Sequence, residues 1–548
     1  MGDMVLMRTD PRYPDVAILE LNNPPVNALG IRCRASLVEK VKNAAADPAV
    51  AAIIITAAPN ATTFCGGADI TEFSDNTLFL QEPTVFSVMD LLDDIEKPLI
   101  AAMPGGAYCG GLELALVCHY RICNSQFKCS FPEVNLGILP AAGGTQRLPR
   151  LIGLISSLSL ILTGWPVRAN EAKSMGIVDT VTDTVLEAAL ALAQKVKGRP
   201  VADRRLSSRP VPDIIDAAHL AFVKEQALAK LKKSARGFEA PLKCLDAVCA
   251  SVSAGTFAAG TAVERRLGGE LIASPQSAAQ QYFFFAEKAA RKIPDGETRV
   301  HGPLPARVGI VGAGTMGTGI AYCCLQAKME VVVFDTSDAA LKKCEAFVTK
   351  KLDNLIARGK ISKAGSEATL RRLHCTQRMA DLSSSDLVIE AVVEDMGVKR
   401  RVFSELDRLC APHALLCTNT SALNVDEIAS ATQRPHLVAG MHFFSPAHVM
   451  PLLEVVRAAR TAPATITAVV AVAALIHKTP VVVGNCDGFV GNRMLFPYVL
   501  EAAQLVLEGA SPRQVDSALT RFGFRMGPFE MSDLAGVDVM WHIQRRHA

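Results

Sequence analysis

The 548-residue sequence has no excess of either charge, 57 basic residues facing 54 acidic ones. A near-neutral chain lacks the basic stripe that nucleic acid demands and the field that would draw it to an anionic membrane. Long apolar runs are missing as well. The longest, around Ala464 to Ile476, stops at His477-Lys478, short of the roughly 20 residues of a bilayer-crossing helix. The N-terminus carries Asp3 and Asp10 and no apolar core, so it reads as neither a secretory nor a transit segment. The last residues, Arg545-Arg546-His547-Ala548, are not a Ser-Lys-Leu peroxisomal address. The 15 cysteines lack zinc spacing: Cys323 and Cys324 are adjacent, and Cys109, Cys118, Cys123 and Cys129 are scattered. They read as buried free thiols in a reducing compartment, with no metal expected.

What is present is a well-packed globular composition, 50% apolar and 20% charged, on a chain too long for one core. Val16 to Leu21 alternates like a strand, Ala35 to Ala46 has helical character, and Ala51 to Thr56 and Leu99 to Met103 read as short buried strands. Gly110-Gly111 opens a helix running to about Cys118. Such alternation predicts an α/β region over residues 1–200. The chain then turns helical, with runs at Ala217 to Lys233, Ala258 to Ile272 and Ala278 to Arg291. Residues 201–304 read as a helical linker, closed by the Pro- and Gly-rich stretch from Ile293 to Pro305. Val308 to Val311, Gly317 to Ala327 and Val331 to Asp335 form a βαβ unit. Further strands at Leu387 to Val393, His436 to Met441 and Pro480 to Val483 predict a Rossmann-type doubly wound domain over 305–483. Residues 484–548 read as helical, with Ser511-Pro512-Arg513-Gln514 as a helix start.

Two groups of residues carry chemistry. In the second half, Gly312-Ala313-Gly314-Thr315-Met316-Gly317 follows a strand and precedes a helix, the context of a dinucleotide fingerprint. Gly312 permits the tight turn, Gly314 the approach of a pyrophosphate, and Gly317 the close packing of helix on strand. Asp335, ending the next strand, suits the adenine ribose hydroxyls and favours NAD over NADP. In the first half, Glu113 lies on the helix opened by Gly110, and Glu133 follows Pro132. Paired carboxylates are the usual means of acid–base work. Backbone N–H groups at Gly110 and at Ala68, after Gly66-Gly67, could stabilise an oxyanion. Taken singly each has a bland alternative: a first-turn glutamate is common in helices, and a histidine at a strand end is usually structural.

The full sets carry two resemblances. Phe64-Cys65-Gly66-Gly67-Ala68-Asp69-Ile70, the run from Ile100 through Glu113, and the run from Phe131-Pro132-Glu133 through Gly143-Gly144-Thr145-Gln146-Arg147-Leu148 resemble the crotonase superfamily. That resemblance implies a spiral of repeated ββα units that hydrates enoyl-CoA thioesters. Glu113 and Glu133 would activate water and protonate the α-carbon, with Ala68 and Gly110 binding the enolate oxygen. It also implies Δ3-Δ2-enoyl-CoA isomerisation, Glu133 moving the proton. Cys109 departs from the pattern, standing where many members have a third glycine. Thr418-Asn419-Thr420-Ser421, Gly440-Met441-His442-Phe443-Phe444-Ser445-Pro446, Leu453-Glu454-Val455 and Asp487-Gly488-Phe489-Val490-Gly491-Asn492-Arg493 resemble the L-3-hydroxyacyl-CoA dehydrogenases. This implies His442 as the base for the substrate hydroxyl and Glu454 as its carboxylate partner. Ser421 and Asn492 would bind substrate oxygens, and Glu394 would lie near the nicotinamide of NAD.

The two halves in this order resemble the type 1 multifunctional enzymes of peroxisomal fatty-acid β-oxidation over essentially the whole chain. The resemblance implies acyl-CoA substrates, NAD, no nucleic-acid partner and no membrane span, and leaves the oligomeric state open, a monomer included. It implies the peroxisome or a related organelle, with mitochondrion or cytoplasm as alternatives. That family's dehydrogenase part ends in two similar helical domains. Here only the first is begun, around Gly527-Pro528-Phe529-Glu530 and Asp533-Leu534-Ala535-Gly536, so Leu500, Leu505 and Leu507 are expected to have fewer surfaces to pack on. Two rival readings stand beside this one: a single-activity enzyme whose other half is degenerate, and a non-enzymatic RNA-binding crotonase relative.

Overall fold

The computed structural model describes residues 3–74, 81–214, 216–235, 237–293 and 303–535. The Pro- and Gly-rich stretch at 294–302 and the tail at 536–548 lie outside the described residues. The chain divides into two units, Met1–Phe284 and Phe285–Ala548.

The strands of the first unit are β1 (Val5–Asp10), β2 (Tyr13–Leu21), β3 (Ala52–Ala57), β4 (Thr63–Cys65), β5 (Leu99–Met103), β6 (Gly106–Tyr108), β7 (Tyr120–Cys123), β8 (Lys128–Ser130), β9 (Val167–Arg168) and β10 (Thr180–Val181). They form a six-stranded sheet, β1-β2-β3-β5-β7-β10, and a four-stranded sheet, β4-β6-β8-β9. The central strands β3 and β5 are buried on both faces, as parallel strands covered by helices require, whereas the edge strand β1 is largely exposed and antiparallel. The chain alternates between the sheets. β3 leads to β4, β5 to β6 and then helix Gly110–Val117, and β7 to β8 and the turn Pro132–Leu136. That repeat is the ββα spiral. Side chains alternate across β3: Ile54 packs with Val185, Ala189 and Ala193 of helix Val185–Val196, whereas Ile53 and Ile55 face the larger core.

The helices expected as a linker contribute to that larger core. Val223 and Leu231 of helix Ala217–Ser234, Cys244, Leu245 and Val248 of Ala240–Ser253, and Leu267 and Leu271 of Phe257–Ile272 are all buried in it. Helix Ala240–Ser253, with Pro241 in its first turn, is absent from the sequence-based reading.

The second unit holds one eight-stranded sheet: β11 (Arg307–Val311), β12 (Glu330–Phe334), β13 (Leu373–Thr376), β14 (Leu387–Glu390), β15 (Leu415–Thr418), β16 (Val438–Phe443), β17 (Leu452–Arg457) and β18 (Thr479–Gly484). Its order is β13-β12-β11-β14-β15-β16-β17-β18. The first six strands have the doubly wound dinucleotide order, which places a crevice beyond the ends of β11 and β14, where the winding reverses. β17 runs antiparallel to β16 and sets Glu454 opposite His442. The strand expected at Leu387 to Val393 ends at Glu390, whose side chain turns back to accept from the Val392 N–H at 2.8 Å. Helix Gly491–Leu507 follows, with Leu500, Leu505 and Leu507 exposed. Ser511 and Gln514 form a reciprocal capping box on helix Pro512–Phe522. Among the described residues no helix is long and apolar enough to cross a membrane.

Candidate active sites

Helix Gly110–Val117 is buried on every side, and Glu113 is its one charged residue. A carboxylate there needs compensation. Its Oε1 accepts from the Ala142 and Gly144 N–H groups, both at 2.8 Å, at the start of helix Gly144–Ile152. Burial pushes the Glu113 carboxyl up to about 7 against the downward pull of these two amides and of Arg147 and Arg265. Glu133, just after β8, is equally buried. Burial and then the negative Glu113 push its carboxyl well above the usual range, and the Cys109 side chain opposes that rise. Its Oε2 is buried with no hydrogen-bond partner among the described residues. The fold thus brings together one carboxyl steadied by amides and one held towards the neutral form, the pairing that acid–base chemistry uses.

The Ala68 and Gly110 backbone nitrogens lie close together beside Glu113. A Cβ on Gly67, whose φ is +94°, would stand 2.8 Å from the Gly110 nitrogen, and one on Gly110 would stand 3.4 Å from the Ala68 nitrogen. Only glycine permits that approach at 67. Cys109 precedes the helix at φ 51°, ψ −134°, a conformation that glycine adopts without strain. This gives physical content to its departure from the family pattern. The Cys109 N–H bonds the Ser130 carbonyl at 3.1 Å, so the left-handed turn ties the Gly110 amide to β8.

A third carboxylate, absent from the sequence-based reading, completes the turn. Glu264, fully buried on helix Phe257–Ile272, accepts from the Gly143 N–H at 2.7 Å, the Thr145 N–H at 2.9 Å and the Thr145 hydroxyl at 2.5 Å. Its signal was faint but present. Gly260 and Gly268 stand four residues to either side, on the same helical face. A Cβ at Gly260 would collide with the Gln146 side chain at 2.1 Å.

In the second unit the Gly-rich turn fits a dinucleotide. Gly312 has φ +104°, and a Cβ there would meet the Ala391 carbonyl at 2.6 Å. A Cβ on Gly317 would meet the Gly312 carbonyl at 1.8 Å, whereas Gly314 faces open space where a pyrophosphate can approach. Asp335, just beyond β12, accepts from the Ala313 N–H through Oδ2 and the Ser337 N–H through Oδ1, both at 2.8 Å, so the acid and the turn share one edge of the crevice.

At the far end of the same sheet, His442 Nδ1 lies 2.7 Å from Glu454 Oε2, with Phe444 and Phe489 beside the ring. Among the described residues Nε2 has no hydrogen-bond partner, which leaves it for proton transfer. Glu454 Oε1 accepts from the Val490 and Gly491 N–H groups at 3.0 and 2.8 Å. Burial raises the Glu454 carboxyl, but the bonds from His442 and these two amides outweigh it and hold the group below its ordinary value. Glu394 accepts from the Thr420 hydroxyl at 2.6 Å and from the Ser421 N–H and hydroxyl at 2.8 and 3.1 Å. Asn492 donates to the Ser421 carbonyl at 3.3 Å, so Glu394, Ser421 and Asn492 form one cluster. Behind it, buried Lys399 bridges Glu390 at 2.7 Å and Glu394 at 3.3 Å. Neither Lys399 nor Glu390 was singled out from the sequence. An isolated lysine in Val398-Lys399-Arg400-Arg401 looks like a solvated helix face.

The sequence pattern of the family described as enoyl-CoA hydratase/isomerase matches residues 12–230. Those described as the NAD-binding and C-terminal domains of 3-hydroxyacyl-CoA dehydrogenase match residues 307–486 and 488–548. The peroxisomal bifunctional enzyme of Danio rerio is 44% identical over 538 residues, which cover 97% of this chain and 72% of that protein. The chain belongs to the peroxisomal bifunctional enzyme family. The Homo sapiens member is 43% identical over 536 residues, 97% of this chain and 73% of that protein. A glyoxysomal fatty acid β-oxidation multifunctional protein of Brassica napus is 37% identical over 541 residues, 96% and 73% of the two chains. The chain is therefore a two-activity enzyme of fatty-acid β-oxidation, an enoyl-CoA hydratase and an NAD-dependent 3-hydroxyacyl-CoA dehydrogenase. With both family patterns on one chain, the single-activity and RNA-binding readings are not favoured.

Proposed function

We propose that Glu113 and Glu133 are the acid–base pair of hydration. Glu113 takes a proton from water as its oxygen bonds to C3 of the 2-enoyl thioester. The Ala68 and Gly110 N–H groups receive the charge that develops on the thioester oxygen. Glu133 delivers its proton to C2. The observation that carries this reading is the pair of buried carboxyls beside two neighbouring backbone amides, one carboxyl steadied by hydrogen bonds and the other kept towards its neutral form. The same pair supports isomerisation, with Glu133 carrying a proton between C2 and C4. Glu133→Gln should abolish both hydration and isomerisation, and Glu113→Gln should spare more of the isomerisation. Loss of both activities to the same extent in both variants would contradict the division of roles.

In the second site, NAD supplies the hydride acceptor when bound, held by Gly312, Gly314, Gly317 and Asp335. His442 takes the proton of the 3-hydroxyl through Nε2, and Glu454 fixes the ring and stabilises the imidazolium. Ser421 and Asn492 would orient the substrate oxygens, and Glu394 would lie near the nicotinamide of bound NAD. The division of labour follows. Residues 1–200 with the helical region 201–304 serve hydration and isomerisation, residues 305–483 bind NAD, and residues 484–548 cover the acyl-CoA. The peroxisome or a related organelle is the proposed location, supported by the names of the relatives. Enzyme supplied with 2-enoyl-CoA and no NAD should accumulate the 3-hydroxy thioester and nothing further.

A further inference from the structure

Glu264 lies outside the acid–base pair, yet it shares the turn that holds one member. Four consecutive amides divide between two carboxylates. Ala142 and Gly144 donate to Glu113, whereas Gly143 and Thr145 donate to Glu264. Glu264 Oε1 is taken by Gly143, and Oε2 by the Thr145 N–H and hydroxyl. The residue is fully buried, so it acts through the turn. Gln146 extends the clamp, donating to the Thr145 hydroxyl at 2.9 Å and the Ala247 carbonyl at 2.8 Å. Two carboxylates at the start of helix Gly144–Ile152 also meet its positive end. A structural acid could be replaced by an apolar side chain at little cost; here the amides it would orphan are interleaved with those that aim Glu113.

We propose that Glu264 is a positioning residue of the hydration site, fixing through the turn at 142–145 the carboxylate that activates water. This rests on the reading of Glu113 as the water-activating base. The charged groups around the pair are few. Arg147 and Arg265 act on Glu113, and Arg147 also acts on Glu264; Asp93 pairs with Arg147 and Asp90 with Arg265; Glu133 and Cys109 feel the Glu113 charge. Within this set Glu113 and Glu264 repel each other, and after burial the Glu113 charge is the largest influence raising the Glu264 carboxyl. Glu113 ionises first of the two, so its charge raises Glu264, and Glu264 acts on Glu113 through the shared turn. Removing the acceptor frees one amide of the turn and loosens the aim of Glu113.

The test is Glu264→Gln in the full chain, followed by crotonyl-CoA hydration across pH and by oxidation of 3-hydroxybutyryl-CoA. A glutamine can accept from only one of the two amides while its NH2 faces the Thr145 hydroxyl. The expected result is a fall in hydration kcat of about 10- to 100-fold from the misplaced base, with KM changed by less than about threefold. Dehydrogenase kcat should hold. Activity lost only in proportion to unfolded protein, with kcat per folded enzyme unchanged, would show a merely structural role and overturn the proposal. Thr145→Val guards against a variant that fails to fold, because it deletes one hydroxyl and keeps the backbone amide. Its hydration kcat should fall several-fold at constant KM, and an unchanged kcat would overturn the proposal. Glu113→Gln in the same assay separates the two readings: retained hydration there would refute the role of Glu113 itself, whatever Glu264 does.

Discussion

Replacing Glu113 by Gln should make the protein more stable at alkaline pH while removing hydration. The glutamine keeps a carbonyl oxygen for the Ala142 and Gly144 amides that now bind Oε1 at 2.8 Å. What disappears is the buried charge. The Glu113 carboxyl ionises near 7 in the folded chain against 4.5 in its ordinary state, chiefly through burial. Between those two values the folded protein binds the proton and the unfolded chain does not, so stability falls as pH rises from about 4.5 to 7. Above 7 the penalty is fully present; below 4.5 it is absent. A displacement of this size corresponds to about 3 kcal/mol, shared in part with Glu264, whose carboxyl is likewise raised to about 8. Calorimetry of the full chain at pH 5 and pH 8 reads the difference. The variant's gain in melting temperature should be several degrees larger at pH 8. Hydration should fall by about 10²- to 10⁴-fold, the usual worth of a general base. A variant no more stabilised at pH 8 than at pH 5 would contradict a buried ionised Glu113, and one that still hydrates crotonyl-CoA would contradict its role as the base.

Three further outcomes follow from the second unit. His442→Ala should reduce oxidation of 3-hydroxyacyl-CoA by about 10²- to 10⁴-fold and leave hydration unchanged, as read by NADH formation against loss of enoyl absorbance. Asp335→Ser should narrow the preference for NAD over NADP, because it removes the carboxylate that repels a 2′-phosphate; steady-state kinetics with both cofactors checks this. Lys399→Ala should cost about 3–5 kcal/mol by leaving Glu390 charged and buried without its cation, seen as an earlier thermal transition with loss of dehydrogenase activity before hydratase activity.

The site motifs were legible in the sequence because each couples a local backbone demand to a functional side chain. Gly67, Gly110, Gly312 and Gly317 stand where a Cβ would collide or an amide must be reached, so they occur in fixed order around Glu113 and Asp335. β11 through β14 were legible in part for a related reason: strands buried on both faces leave continuous apolar runs such as Val308-Gly309-Ile310-Val311. Glu264 and Lys399 were not legible. Their significance lies in partners that only the fold brings close: Gly143, 121 residues away, for Glu264, and for Lys399 the strand-end Glu390, nine residues back across the turn into helix Met396–Leu409. Locally each looks like an ordinary charge on a helix. The helices between 217 and 284 read as a linker because their periodicity is weak and rich in alanine. Only the core they enter shows that they belong to the first unit.

Two sites on one chain act in succession. Crotonyl-CoA mixed with the purified chain and NAD should lose its enoyl absorbance first, then produce NADH after a lag. Glu133→Gln should abolish both signals with crotonyl-CoA but restore full NADH formation when 3-hydroxybutyryl-CoA is supplied. A Glu133→Gln variant that also failed to oxidise supplied 3-hydroxybutyryl-CoA would contradict the account of two separate sites.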